Sequence, residues 1–364
     1  MQRIILSIIS LLLLSGCGFM SDEVKMKEHP IKEDLSFHYA RKTCNKKQKE
    51  WYDQIYRSLM NFDKELVLEM KEKDDFVEIY TKVLDDHPDI YWSGDITYRE
   101  EKWDNNAVER TISFKYTKSK KQIKAYNKQL KTIVSKIKGE VDNMNQDYDK
   151  VKYIYDYVID HSVYDTKSSD NQNIISVLIN GKSVCAGYAK SIQYLCNQIK
   201  IPCTYMPGKS KVSGFSSENN GAHAWNMVQI NGNYYYLDAT FGDDEENDFR
   251  YAYFTMSSDE MLELYKPTYE YEESSAIDDN YFVKEDAYFN DYNEDKMNRL
   301  ISEAKLKGYN TIMLKCSDET MSTKIKQILI DDYRFFELAK QQGIELQNIK
   351  YIEVPKVHVL VLLM

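Results

Sequence analysis

Apolar side chains near the start of the chain recur every three or four residues, the spacing that places them on one face of a helix. The stretch from Gln48 to about Glu69 has this pattern, with Trp51, Ile55, Leu59, Phe62 and Leu66 on the face. A second helix is predicted from Asp75 to Leu84, and His87-Pro88 ends it because a residue before proline disfavours helical geometry.

Farther along the chain, segments in which apolar and polar residues alternate are followed by segments with helical spacing of apolar residues. Asp95–Arg99 and Val108–Tyr116 alternate β-branched or aromatic side chains with polar ones, which predicts a hairpin. The remaining pattern predicts helices over Ile123–Ile137, Tyr148–Ile159 and Val184–Ile199, the last ended by Pro202, and then strands over His223–Ile230 and Tyr234–Phe241.

An acidic, turn-rich passage, residues 266–286, predicts a linker before a smaller C-terminal unit. Residues 287–364 follow the order of a small α/β domain. Its predicted elements are helix Glu294–Lys307, strand Thr311–Lys315, helix Met321–Gln341 and strands Lys350–Glu353 and Val357–Leu362.

The N-terminus has the pattern of a targeting segment. Gln2-Arg3 is a short basic start, and the apolar run Ile4–Leu14 is too short to span a bilayer comfortably. Leu14-Ser15-Gly16-Cys17 resembles the bacterial lipobox, in which the cysteine is lipidated and becomes the new N-terminus. We therefore expect a signal peptide over residues 1–16, a lipid anchor at Cys17 and a charged tether over 17–47. The alternatives are an uncleaved anchor and an ordinary signal peptide.

Composition narrows the classes of partner and of fold. The 364-residue chain has 48 basic and 58 acidic residues, and this acidic balance argues against nucleic acid as a main partner. Aromatic residues make up 13% of the chain, including 30 tyrosines, which indicates a folded protein.

Cysteine usage favours neither a disulfide framework nor a zinc site. Five cysteines follow Cys17, an odd number without paired spacing: Cys44, Cys185, Cys196, Cys203 and Cys316. A Cys196–Cys203 bridge is an alternative to two buried thiols.

Cys185 stands where a predicted helix begins. Ser183 is a good N-cap, so Cys185 is expected at the second helical position. The positive end of the helix dipole favours the thiolate there, and the free N–H groups of the first turn form one wall of an oxyanion hole. A buried structural cysteine is the alternative.

A predicted hairpin supplies the partners that a cysteine nucleophile needs. Asn231-Gly232 favours a two-residue type I′ turn, which makes Ile230 face Asn233. Counting outward from that pair, His223 and Asp238 lie on one face as diagonal neighbours. The register therefore predicts that Asp238 orients His223 and that His223 acts as base and acid for Cys185. We expect Trp225 to pack beside this triad, with a plain core role equally open, and Tyr188 to lie in the core.

Three segments carry a resemblance to a known family: Cys185-Ala186-Gly187-Tyr188-Ala189, Ala222-His223-Ala224-Trp225-Asn226 and Tyr236-Leu237-Asp238-Ala239-Thr240. Together they resemble the bacterial transglutaminase-like family, which shares its fold with papain-type cysteine proteases. The resemblance covers roughly residues 146–256. It implies an α+β core, in which a nucleophile helix packs on an antiparallel sheet that carries the histidine and the aspartate. It also implies acyl transfer through a thioester.

One feature of the related papain-type enzymes is missing. They place a glutamine before the cysteine to complete the oxyanion hole, and this chain has none at that spacing. Ser183, Asn180 and Lys182 are the candidate donors.

We therefore expect an N-terminal helical and hairpin region over residues 48–140 and a transglutaminase-like catalytic domain over 141–265, with Cys185, His223 and Asp238 as the triad. Ser183, Tyr188 and Trp225 are the candidate site-lining residues. No metal or organic cofactor is required, the substrate is a protein or peptide amide, and the protein is anchored on the extracytoplasmic face of a bacterial membrane. The alternative is a non-catalytic lipoprotein that binds peptide or cell wall with a degenerate fold.

Overall fold

The computed structural model describes residues 38–103, 107–212, 221–243, 249–348 and 350–364. The predicted signal peptide and the proposed lipidation site Cys17 lie outside the described residues. Contacts between residues divide the chain after Lys128 into two compact units.

The first unit combines short helices with a three-stranded antiparallel sheet. Its elements are α1 (Tyr39–Lys42), α2 (Lys46–Asn61), β1 (Glu65–Lys71), α3 (Phe76–Asp86), β2 (Ser93–Lys102) and β3 (Ala107–Tyr116). The strand order is β1-β3-β2, and α2 packs against α3 and β1. The predicted helix over Asp75–Leu84 and the predicted hairpin are both confirmed. Helix α4 (Lys120–Val141) continues past Lys128.

The predicted helix from Gln48 to about Glu69 is wrong at its C-terminal end. Helix α2 stops at Asn61, and Phe62 takes a left-handed conformation with φ of 62°. The next residues form β1, in which Leu66, Leu68 and Met70 are buried and alternate with exposed neighbours. This period of two was masked by Leu66, which also fits the helical spacing of the preceding turn.

The second unit contains the predicted α+β core. Its first elements are α5 (Asp147–Asp160), β4 (Val163–Tyr164), α6 (Ile174–Leu178), β5 (Lys182–Ser183), α7 (Cys185–Gln198), β6 (Cys203–Ser210), β7 (Ala222–Ile230), β8 (Asn233–Leu237), α8 (Ala239–Gly242), α9 (Ser258–Leu264) and β9 (Tyr265–Pro267). The four-stranded sheet has the order β8-β7-β6-β9, and α7 packs on β6 and β7. The helix that begins at Cys185 therefore lies against an antiparallel sheet, as the family resemblance implied.

Two details of this core differ from the sequence interpretation. Strand β6 was missed, although it pairs with β7 in the middle of the sheet. The strand predicted over Tyr234–Phe241 ends at Leu237, because Asp238 caps the short helix α8.

The remaining residues of the second unit form a second four-stranded sheet and its helices. The elements are α10 (Tyr281–Lys284), β10 (Tyr288–Phe289), α11 (Glu294–Lys307), β11 (Thr311–Cys316), α12 (Glu319–Lys326), α13 (Arg334–Gln341), β12 (Lys350–Val354) and β13 (Val359–Leu363), and the strand order is β10-β11-β13-β12. The single helix predicted over Met321–Gln341 is wrong. A π-helical turn, Gln327–Asp331, follows α12, and Tyr333 with φ of 58° separates this turn from α13.

Candidate active site

Cys185 is the first residue of α7. The N-cap is the extended residue Val184, whose side chain makes no capping bond, so the predicted cap at Ser183 and the predicted second helical position of Cys185 are both wrong. The Ser183 hydroxyl instead donates to the Asn171 carbonyl at 2.8 Å and lies 2.7 Å from the Ser176 hydroxyl. Ser183 thus fixes the segment that leads into α7 rather than its first turn.

The opening turn of α7 directs amide groups toward the Cys185 end of the helix. The N–H groups of Gly187 and Tyr188 both bond the Val184 carbonyl, at 2.9 and 3.3 Å. Those of Cys185 and Ala186 have no acceptor within the helix, as is general for a first turn. They are therefore available to an oxygen atom bound beside the thiol, and the helix dipole favours negative charge there.

Cys185 is the only cysteine among the described residues that is not buried. Its residue is partly exposed, whereas Cys44, Cys196, Cys203 and Cys316 are buried free thiols. A reagent or substrate in solvent can therefore reach Cys185 without the local unfolding that the other four require.

His223 and Asp238 meet at the end of the hairpin. The ladder between β7 and β8 pairs Ile230 with Asn233 and Asn226 with Leu237, which is the register counted from Asn231-Gly232. The imidazole Nε2 of His223 lies 2.6 Å from Asp238 Oδ2, and both side chains are almost completely inaccessible to solvent. The predicted pairing of these two side chains is therefore present in the fold.

Asp238 accepts hydrogen bonds on both carboxylate oxygens. Oδ1 accepts from the amides of Thr240 and Phe241, at 2.9 and 3.2 Å, and so caps α8. Oδ2 accepts from the Tyr265 hydroxyl at 2.6 Å as well as bonding His223. A buried carboxylate with four partners is fixed in orientation, and it can remain charged away from water.

The protonation of His223 is set by competing influences. Burial by itself lowers the pKa of the imidazole, but the negative charge and hydrogen bond of Asp238, together with an electrostatic interaction with Cys185, outweigh the effect of burial and raise the pKa of His223 to about 10. The raised pKa keeps the imidazole protonated at neutral pH, with its Nε2 directed at the Asp238 carboxylate.

Aromatic rings enclose the imidazole. Phe241 stacks on His223 with ring centroids 4.7 Å apart, and Trp225 lies at 6.2 Å on a nearly parallel plane. Trp225 is completely buried and stacks in turn on Tyr265 at 4.5 Å. The rings exclude water from the His223–Asp238 pair, which strengthens the electrostatic interaction between them.

Gly208 of β6 provides the room for this stack. It pairs with His223 on one side and with Pro267 on the other. A Cβ atom at this position would lie 2.5 Å from Cη2 of Trp225 and 2.4 Å from the carbonyl oxygen of Lys266. Only glycine lets the indole lie this close to the middle of the sheet.

The other sequence candidates lie around this centre in different environments. Tyr188 is buried, as expected, and its hydroxyl donates to Asp243 at 2.5 Å. Asn180 and Lys182 are exposed, and Lys182 forms an ion pair with Asp165 at 3.6 Å. The structure therefore ties Ser183 and Lys182 to other partners, and the amides of the α7 opening turn are the donors nearest the thiol in sequence.

Two residues that shape the site were missed at the sequence level. Asn226 donates from its side chain to the carbonyls of Ala189, at 2.8 Å, and Thr204, at 3.2 Å, and so links α7 to the sheet. Tyr265 reaches Asp238 from β9, which is joined to the hairpin only through β6. The signal for Asn226 was its polar side chain in an otherwise buried strand, whereas Tyr265 had no local signal.

Within the described ranges, no cluster of three or more histidine, cysteine, aspartate or glutamate side chains is arranged to hold a metal ion. Over the same part of the chain, no helix combines the length and apolar character needed to cross a membrane.

Known proteins that are similar to this chain match only part of it. Residues 135–239, a range that contains Cys185, His223 and Asp238, match the family model of the transglutaminase-like superfamily. The chain is also similar to kyphoscoliosis peptidase, with 26% identity over 107 residues of the Mus musculus protein and 29% over 105 residues of the Homo sapiens protein. These matches cover 27% and 26% of this chain and only 16% of each relative. A crystal structure of a TGase aligns over 41% of this chain and 44% of its own, with 13% identity and a TM-score of 0.28.

Proposed function

We propose that the second unit catalyses thiol-dependent acyl transfer on protein or peptide amides, with Cys185 as nucleophile, His223 as acid and base, and Asp238 as the residue that orients His223. The observation that carries the proposal is the 2.6 Å contact between His223 and Asp238, in a fold that also places a partly exposed cysteine at the start of α7. The match to the transglutaminase-like superfamily over residues 135–239 supports the same chemistry.

The first half of the reaction forms a thioester. The Cys185 thiolate adds to the amide carbonyl carbon, and the oxygen that becomes negative accepts from the N–H groups of Cys185 and Ala186. The C–N bond then breaks as the His223 imidazolium donates its proton to the leaving nitrogen. The products of this half are an acylated Cys185, a neutral His223 and a free amine or ammonia.

The second half regenerates the thiolate. Water or a primary amine adds to the thioester carbon while His223 accepts a proton from the incoming group. The C–S bond then breaks, and the thiolate and imidazolium are restored. Water gives hydrolysis or deamidation, whereas an amine gives an amide cross-link.

The thiol chemistry can be tested without knowing the substrate. Iodoacetamide at neutral pH should alkylate Cys185 at least ~10-fold faster than Cys44, Cys196, Cys203 or Cys316, because Cys185 is partly exposed at a helix start whereas the other four cysteines are buried. His223→Ala should remove most of this advantage. An unreactive Cys185 in the folded protein would contradict the enzymatic proposal and favour a peptide-binding role.

The reaction type requires a product measurement. Glutamine-containing peptides incubated with the protein, with and without a primary amine, should show amide exchange, loss of ammonia or cleavage by mass spectrometry. Cys185→Ala is the matched control, since it removes one sulfur atom from the first residue of α7. Equal product with Cys185→Ala would contradict the assignment.

We further propose that the protein acts on the outer face of a bacterial membrane through a lipid on Cys17. The supporting sequence is Leu14-Ser15-Gly16-Cys17 after a short apolar run. Metabolic labelling with a fatty-acid analogue should label the wild type but not Cys17→Ala. Label retained in that variant would overturn the lipidation site.

A further inference from the structure

Tyr265, which lies outside the hairpin, hydrogen-bonds the aspartate of the proposed triad. Its hydroxyl donates to Asp238 Oδ2 at 2.6 Å, the same distance at which that oxygen bonds His223 Nε2. One carboxylate oxygen therefore serves two partners, and only one of them is a member of the triad.

The fold fixes Tyr265 for this contact rather than leaving it free to rotate. Tyr265 is completely buried, begins β9 and pairs with Ser210 of β6. Its ring stacks on Trp225 at 4.5 Å with an interplanar angle of 21°. Trp225 in turn lies above Gly208, where a side chain would exclude it. Sheet pairing and stacking thus hold the hydroxyl in place.

We propose that Tyr265 is a positioning residue of the Cys185–His223–Asp238 site, which fixes Asp238 Oδ2 toward His223 and limits how strongly this oxygen holds the imidazole proton. The proposal rests on the function proposed above. A hydroxyl hydrogen directed at Oδ2 offsets part of the negative charge that the imidazolium meets. Without it, the carboxylate would hold the imidazolium more tightly and would be freer to turn.

Other titratable groups also lie near the His223–Asp238 pair. Tyr155 of α5 donates to the main-chain oxygen of Asp238 at 3.2 Å, and Cys185 of α7 interacts electrostatically with His223. Tyr253 interacts electrostatically with Tyr265, and its carbonyl accepts from the Asp238 amide at 2.9 Å. Tyr265 differs from these because its hydroxyl contacts the carboxylate itself.

Tyr265→Phe keeps the ring and removes only the hydroxyl. The imidazole titration of His223, followed by NMR on labelled histidine and assigned with His223→Asn, should move upward by about half to one pH unit. Alkylation of Cys185 at neutral pH should slow several-fold, because a carboxylate that is freer to turn leaves the His223 imidazole less well oriented toward Cys185. Tyr236→Phe is the matched control: its hydroxyl is also in this sheet but donates to the carbonyl of Glu272, and both readouts should stay within about twofold of wild type.

Whether Tyr265 acts on His223 through Asp238 is tested by making Tyr265→Phe in an Asp238→Asn protein. In Asp238→Asn, adding Tyr265→Phe should no longer move the His223 titration, because the charged oxygen that joins them is gone. A Tyr265→Phe protein that is less stable but has an unchanged titration and alkylation rate would overturn the positioning role. A moved titration with an unreactive wild-type Cys185 would support the role of Tyr265 while overturning the proposed function.

Discussion

At the residue scale, Asp238 is the point on which the contacts of the candidate site converge. It caps α8 with one oxygen and bonds His223 and Tyr265 with the other. The same side chain therefore stabilises the local backbone and sets the charge of the imidazole. A substitution at this position changes the helix cap and the site together.

The raised pKa of His223 gives a pH dependence of stability with a definite sign. The free histidine titrates near pH 6.5, and the folded one near 10, so between these values the folded state binds the extra proton. The stabilisation is complete below about pH 6.5 and is lost as the pH rises toward the folded value. In the wild type, Cys185 contributes to the pKa of His223, so the effect of Asp238 is not measured by itself.

Cys185→Ala is therefore the suitable background for measuring this dependence. Its free energy of unfolding should fall by up to ~1.4 kcal/mol per pH unit above pH 6.5. The fall should end at or below pH 10, because the contribution of Cys185 to the pKa of His223 is removed. Urea unfolding at several pH values measures it. Adding Asp238→Asn should flatten the slope, and an equal slope in both proteins would contradict the assignment.

At the element scale, the close packing of α7 depends on Gly187. A Cβ atom there would lie 1.9 Å from Ser183 Oγ and 2.8 Å from Ser176 Oγ. These two hydroxyls bond each other, so neither can move without breaking a buried contact. Residues Ser176 and Ser183 thus define how near the first turn of α7 lies to the preceding segment.

Gly187→Ala should therefore destabilise the protein by ~1–3 kcal/mol and slow alkylation of Cys185, because the helix start is displaced. Gly139→Ala is the matched control: this glycine lies in α4 with nothing within 4 Å of the added methyl group. It should stabilise the protein by ~0.5–1 kcal/mol. Thermal unfolding and alkylation rate measure both, and a tolerated Gly187→Ala would refute this packing argument.

Features set by local sequence could be predicted, whereas features set by tertiary contacts could not. Asn231-Gly232 determines the hairpin register locally, so the proximity of His223 and Asp238 follows from counting. The end of α2 was misplaced because Leu66 fits both helical and strand spacing. Ser183 is a favoured capping residue, but tertiary bonds to Asn171 and Ser176 hold its hydroxyl elsewhere. Tyr265 was missed because its contact depends on pairing through β6, which no local pattern records.

At the scale of the whole molecule, the C-terminal sheet and the candidate site belong to one compact unit. Lys315 of β11 is buried, forms an ion pair with Glu260 of α9 and donates to the Val357 carbonyl at 2.9 Å. Helix α9 ends at Leu264, and the next residue is Tyr265. The C-terminal sheet thus contacts α9, the helix that directly precedes Tyr265.

Lys315→Ala should lower the free energy of unfolding by about 3 kcal/mol, because it removes the cation that pairs with Glu260 and the donor to a buried carbonyl. Lys324→Ala provides the comparison, since its ion pair with Asp291 is largely exposed and should contribute less than about 1 kcal/mol. Denaturant unfolding gives both values. Equal effects of the two variants would show that burial of Lys315 does not matter to stability.

The capping of α8 by Asp238 makes the opening of the site measurable by hydrogen exchange. The amide protons of Thr240 and Phe241 are bonded to the carboxylate that holds His223. They can exchange with deuterium only when their hydrogen bonds to that carboxylate break, so their exchange rates report how often the site opens. Two backbone amides thereby record the lifetime of the assembled site in a protein that has no substrate bound.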